Sequence, residues 1–128
     1  NNGGTLSRAD WRRQNVNTII ERIYKEIKAE KPFVKFGISP FGIWKPGYPS
    51  GITGSSQYDE LYADAKLWLN KGWVDYFSPQ LYWPINSTGQ SFPKLLEWWK
   101  SEKKEKTREK PAFYFGKYIS EKALKDMY

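Results

Sequence analysis

The sequence predicts an α/β chain of parallel βα units, on three observations. Short apolar stretches of strand character begin near residues 33, 74 and 112, about 40 residues apart. Each interval holds one turn-rich loop and one amphipathic helix, and such units lie parallel with right-handed crossovers. No glycine-rich phosphate-binding turn follows any strand, which favours a (β/α)8 barrel over a doubly wound nucleotide-binding sheet. A complete barrel takes about 250 residues. The 128 residues therefore read as a partial (β/α)8 TIM-type barrel, with residues 1–128 one segment of a longer domain. The opening "NNGGTLS", with neither an initiator methionine nor a signal-peptide pattern, fits that expectation.

The elements follow in order. "SRADWRRQNVNTIIERIYKEIKAEKP" opens with the capping-box spacing Ser7 to Asp10. It carries Val16, Ile19, Ile20, Ile23 and Ile27 at helical intervals and stops at Pro32. "FVKFGIS" (33–39) is the first strand, with Val34, Phe36 and Ile38 on one face. A loop rich in glycine and proline runs from Pro40 to about Gly54. Ser56 to Asp59 repeats the capping spacing, and Tyr58, Leu61, Tyr62, Ala65 and Leu69 form one helical stripe that Gly72 ends. "WVDYFSPQLYWP" (73–84) is the second strand. Ser91 caps a third helix with Leu95, Leu96 and Trp99 on its apolar side. "AFYFG" (112–116) is the third strand, and Ser120 begins a last helix.

Composition narrows the chemistry. Aromatic residues are 18% of the chain, with 7 Trp, 9 Tyr and 7 Phe. That exceeds what a core of this size needs and suits surfaces that stack on flat ligands such as sugars or bases. The net charge of +7 raises nucleic acid, anionic glycans and membranes as partners. Yet the basic run "KSEKKEKTREK" (100–110) alternates sign and reads as a solvated helix face. The strand-borne aromatics are not interleaved with basic residues, so a nucleic-acid partner is not expected. The absence of cysteine and histidine excludes disulfides, thiolate metal sites and histidine-based triads. Neither a cofactor nor a metal is expected. No apolar run approaches the roughly 20 residues that span a bilayer.

Strand alternation locates a candidate site. It sets Phe77 and Leu81 against the helices and turns Tyr76, Ser78, Gln80 and Tyr82 inward. Gln80 and Tyr82 then lie at the carboxyl end of the strand, where barrel enzymes build their sites, and Trp83 is placed to wall it. Asp75 falls at the opposite end, where a structural role is expected. In the first unit, Gly37 and Ser39 are the small inward residues, and the following loop presents Phe41, Trp44 and Lys45. Trp44 is expected to share one concave site with Gln80, Tyr82 and Trp83.

These same stretches carry a family resemblance. "WRRQNVNTIIERIYKEIKAEKPFVKFGISPFGIWKPG" and "YDELYADAKLWLNKGWVDYFSPQLYW" resemble the second half of the catalytic domain in the glycoside-hydrolase-like barrel family of bacteria, glycosyl hydrolase-like 10. The resemblance runs from Trp11 to about Tyr118. It implies a barrel that binds and hydrolyses a bacterial cell-wall glycan or other polysaccharide, in a protein exported to the periplasm or cell surface. Taken with the strand-end and loop placements above, the candidate substrate-binding residues are Ser39, Phe41, Trp44, Lys45, Gln80, Tyr82 and Trp83. "VDYFSPQLYW" is also similar to the strand of chitinase-like barrels whose terminal tyrosine contacts the reacting region of the substrate. That pattern continues with an acid where this sequence has Trp83.

Glycosidases ordinarily place two carboxyl groups across the scissile bond. Here the strand ends offer Ser39, Gln80, Tyr82, Gly116 and Lys117, and the family's Asp-Asp-Tyr motif does not occur. Asp59, Glu60 and Asp64 are accounted for by helix capping. The catalytic carboxylates are therefore expected upstream, and the segment alone is expected to be inactive and prone to self-association through open sheet edges. The alternative is a non-catalytic carbohydrate-binding module.

Overall fold

The computed structural model describes residues 3–102 and the backbone of residues 112–113. Within them the elements are α1 (Arg8–Glu30), β1 (Gly37–Ile38), α2 (Gln57–Glu60), α3 (Ala65–Lys71), β2 (Tyr76–Phe77), α4 (Phe92–Glu102) and β3 (Ala112–Phe113). The strands form one parallel sheet in the order β1-β2-β3, with Gly37 opposite Tyr76 and Phe77 opposite Phe113. The mixed α/β class with a parallel sheet is as expected. The remainder of the third strand, Gly116, Lys117 and the helix expected from Ser120 lie outside the described residues.

Helix α1 begins where the capping spacing places it. The Ser7 hydroxyl oxygen accepts the Asp10 amide at 3.1 Å and donates to the Asp10 carboxylate at 2.7 Å. Val16 and Ile20 pack on the core, whereas Ile19 and Ile23 on the neighbouring stripe stay exposed. Beyond the helix the chain spends residues 31–34 on a turn rather than on the strand expected from Phe33. The Val34 amide closes back on the Lys31 carbonyl at 2.9 Å, and the Val34 carbonyl accepts the Lys28 ammonium at 2.7 Å. Phe33 is left 78% exposed, so β1 is confined to Gly37–Ile38.

The single helix expected over residues 56–72 is instead two. Ser56 caps α2, accepting the Asp59 amide at 3.1 Å, but Tyr62 adopts a left-handed φ of 55° and breaks the run. Asp64 then caps α3 by accepting the Leu67 amide at 3.2 Å. Ala65, Trp68 and Leu69 turn inward, while Leu61 is half exposed. The Trp68 indole donates to Asn17 at 2.7 Å, tying α3 to α1, and Gly72 ends α3 at φ 71°.

Parallel pairing runs past the short strands. The amides of Asp75, Ser78 and Gln80 donate to the carbonyls of Phe36, Ile38 and Pro40 at 2.7, 2.9 and 2.9 Å. Phe41 forms a further parallel bridge with Gln80. Phe77 and Leu81 are buried on the helix side as expected, against Leu95 and Trp99 of α4. Ser91 precedes α4, and its carbonyl accepts the Leu95 amide. Its hydroxyl does not cap the helix as expected, because it donates to the Ile85 carbonyl at 3.2 Å. Among the described residues no helix is long and apolar enough to cross a membrane.

Candidate functional site

At the carboxyl ends of β1 and β2, the loop after β1 lies directly on the end of the second strand segment. Gly42 makes this possible. A Cβ there would strike the Gln80 carbonyl oxygen, and would sit 2.7 Å from the Trp83 ring and 2.9 Å from a Leu81 methyl. The cavity beside this contact, about 340 Å³, is lined by Phe41, Gln80, Tyr82 and Trp83, with Ser55 and Gln90 from later loops. Gln90 fastens those loops together, its amide nitrogen donating to the Thr53 carbonyl at 2.8 Å and the Thr53 hydroxyl at 3.3 Å.

Ser39 supports the cavity from the strand. Its hydroxyl donates to the Ser78 carbonyl at 2.8 Å, and its carbonyl accepts the Gln80 side-chain amide at 3.1 Å. Gly37, the other small inward residue, lies under the Tyr76 ring, which occupies the space a Cβ would need. Tyr82 projects with 66% of its surface exposed.

Trp44 does not join this cavity, contrary to the sequence expectation. Its indole N–H donates to Asp64 at 3.0 Å, its ring stacks on Trp98 at 5.9 Å, and Tyr48 and Tyr58 meet it edge-on. An acceptor at the start of α3 and an aromatic platform from α4 draw the ring into the packed layer. Lys45 is also directed away, its ammonium 4.9 Å from the centroid of the Tyr58 ring, while the Arg13 guanidinium lies 4.1 Å from the same ring. The structure thus brings Phe41, Gln80, Tyr82 and Trp83 together with Ser39 beneath them, and leaves Trp44 and Lys45 outside. Ser55 and Gln90 had no sequence signal, because their place depends on loops meeting in space.

The family model for glycosyl hydrolase-like 10 matches residues 4–118. The chain belongs to that family. It is 46% identical over 100 residues to "Glycosyl hydrolase YngK" of Bacillus subtilis strain 168, a match covering 74% of this chain and 20% of the relative. "Glycosyl hydrolase DigH" of Escherichia coli strain K12 is 40% identical over 101 residues, covering 76% of this chain and 23% of the relative. The protein of that name from Shigella flexneri matches to the same extent. The chain spans about a fifth to a quarter of the length of these curated relatives.

Membership of a glycosyl hydrolase-like 10 family directs attention to carboxylates, and those near the sheet are engaged elsewhere. Asp59 accepts the Ser56 hydroxyl at 2.8 Å, Glu60 accepts the Ser56 amide at 3.3 Å, and Asp64 serves Leu67 and Trp44. Among the described residues, none that lines the cavity is acidic. Among the described residues no group of three histidine, cysteine, aspartate or glutamate side chains could hold a metal.

Asp75 lies at the amino end of β2, as expected of a structural group. Its carboxylate accepts the Phe36 amide at 2.7 Å and pairs with the Lys28 ammonium at 2.6 Å. Burial opposes its charge, but Lys28 and the Phe36 amide outweigh burial and hold the carboxyl below the usual carboxylate range. Folding therefore favours the charged form. Its contribution is complete above the unfolded-chain value of about 3.9 and is lost as pH falls through the lower folded value. Asp75→Asn keeps an acceptor for Phe36 and loses the charge pair. It is expected to cost about 1–3 kcal/mol at neutral pH and to flatten the acid limb of stability, as read by denaturant unfolding across pH 2–7.

Proposed function

We propose that this chain is part of a glycan-binding and glycan-hydrolysing (β/α)8 barrel, and that the Phe41–Trp83 cavity grips the sugar. The carboxylates that cleave it are supplied by parts of the parent protein outside this segment. The convergence of Phe41, Tyr82, Trp83 and the Gln80 amide on one cavity, at the carboxyl end of parallel strands, carries the reading. Aromatic surface beside a few placed hydrogen-bonding groups is the lining a sugar ring needs, and that end of a barrel is where catalytic sites are built. Family membership supports hydrolysis as the chemistry. The substrate class in this reading is a bacterial cell-wall glycan or other polysaccharide, met by an exported protein.

The test is kinetic and uses the full-length protein. Trp83→Ala is expected to raise KM about tenfold or more through lost ring contact, with the larger effect on binding than on turnover. Tyr82→Phe removes only the phenolic hydroxyl and is expected to lower kcat with KM nearly unchanged. Unaltered kinetics in both variants would assign these residues to packing at the rim. Glycan binding without release of new reducing ends by the full-length protein would instead mark a non-catalytic carbohydrate-binding module.

A further inference from the structure

We infer that the free flank of this segment, the β1 edge together with the Ile19 and Ile23 side of α1, is covered by the strand and helix that precede α1 in the same polypeptide. The inference is independent of what the cavity binds. It starts from the direction in which the sheet grows. A right-handed crossover whose helix lies on a given face of a parallel sheet always steps to the same side. Helix α3 carries the chain from β1 to β2 and α4 carries it from β2 to β3, two steps in one direction. Helix α1 lies on the same face. Val16 and Ile20 pack on the core that α3 and α4 cover, and the Trp68 indole of α3 donates to Asn17. The strand that feeds α1 therefore lies on the side of β1 that β2 does not occupy. Residues 3–7 ahead of α1 form no strand, so it belongs to chain before them.

Two surfaces on that side fit such a neighbour. The first is backbone. The carbonyls of Phe36, Ile38 and Pro40 accept amides from the second strand segment, so Gly37 between them turns its N–H and C=O the other way. Among the described residues nothing pairs with these groups. The second is apolar. Asn17, and Tyr24 with its ring 6.5 Å from that of Phe36, mark the packed flank of α1. At about 100° per residue, Ile19 and Ile23 fall on the opposite flank, 59% and 39% exposed. A groove of about 300 Å³ bordered by Ile27, Glu30 and Val34 continues that flank towards the end of the helix. A parallel strand laid on Gly37 brings the helix before it against Ile19 and Ile23, and parallel sheets are buried in this way by successive helices. The family has the chain length for it, since the match to the Bacillus subtilis relative takes up 20% of that protein.

The experiment introduces Ile19→Cys and Ile23→Cys, one at a time, into the full-length protein. Each is labelled with a maleimide, and the rate is read at the introduced residue by mass spectrometry. The expected result is labelling at least about tenfold slower in the native protein than in urea, with sedimentation velocity showing a monomer. A native rate close to the urea rate would leave the flank in solvent and overturn the inference. Protection that disappears when dilution turns dimers into monomers would assign the flank to a second copy, and would overturn it equally. Amide hydrogen exchange of the unsubstituted protein gives a reading that no variant's folding can disturb. Gly37 is expected to exchange as slowly as Ile38, whose backbone faces the second strand. Exchange at Gly37 at least about tenfold faster than at Ile38 would leave the β1 edge unpaired and overturn the inference.

Discussion

Trp99→Ala is expected to be the most damaging substitution in the described core, lowering stability by about 3–5 kcal/mol. Trp99 is fully buried in α4, 5.9 Å from the Phe77 ring and 4.9 Å from Trp98, both edge-on. Truncation opens a void the size of an indole between the sheet and its covering helix, and rigid neighbours on both sides limit collapse into it. A second loss is polar. The Trp99 indole N–H donates to the Gly42 carbonyl at 2.9 Å in a buried setting, so the variant leaves that oxygen without its donor. Trp99→Phe separates the two effects. It retains most of the ring and forfeits the N–H, with an expected cost of about 1–3 kcal/mol. Denaturant unfolding of the full-length protein measures both. Equal costs for the two variants would mean that the hydrogen bond, rather than the filled volume, dominates.

Gly42→Ala is expected to abolish the cavity while costing far less stability than Trp99→Ala. The added methyl would meet the Gln80 carbonyl, the Trp83 ring and Leu81 at once. The first of these is backbone and cannot rotate aside. The loop must lift off the strand end, at about 1–3 kcal/mol, and Trp83 loses the surface it lies across. Ligand affinity is expected to fall at least about tenfold. Gly72→Ala is the matching control. Gly72 sits at φ 71°, and an alanine methyl there would have no neighbour within 4 Å. Its substitution meets only backbone strain of about 1–2 kcal/mol. Melting temperatures and glycan titrations of the two variants give the comparison. Intact ligand binding in Gly42→Ala would mean that the site does not depend on this close approach.

How much was legible depended on whether the determinants were local. The start of α1 was readable because Ser7 and Asp10 satisfy each other within one turn. The burial of Phe77 and Leu81 was readable because strand alternation needs no knowledge of the partner. The strand-end position of Gln80 and Tyr82 followed from the same pattern. The break at Tyr62 was not readable, since the apolar stripe from Tyr58 to Leu69 continues through it. What overrides the stripe is Asp64, which caps a new helix and takes the Trp44 indole, a contact across 20 residues. The misplacement of Trp44 has the same origin. Its loop composition suggested an exposed ring, and its stacking partner Trp98 lies on a helix far along the chain.

The Asp64 contacts also limit the residues that position can hold. One oxygen, Oδ1, accepts both the Leu67 amide at 3.2 Å and the Trp44 indole at 3.0 Å. Serine and threonine start helices well, but their hydroxyls sit one bond closer to the backbone than this carboxylate oxygen, short of the indole. Glutamate reaches further and forms a poor cap. Asparagine alone matches the reach and the acceptor, so position 64 has a vocabulary of two letters. The rule comes from a distant ring, and no helix-capping preference by itself would spell it.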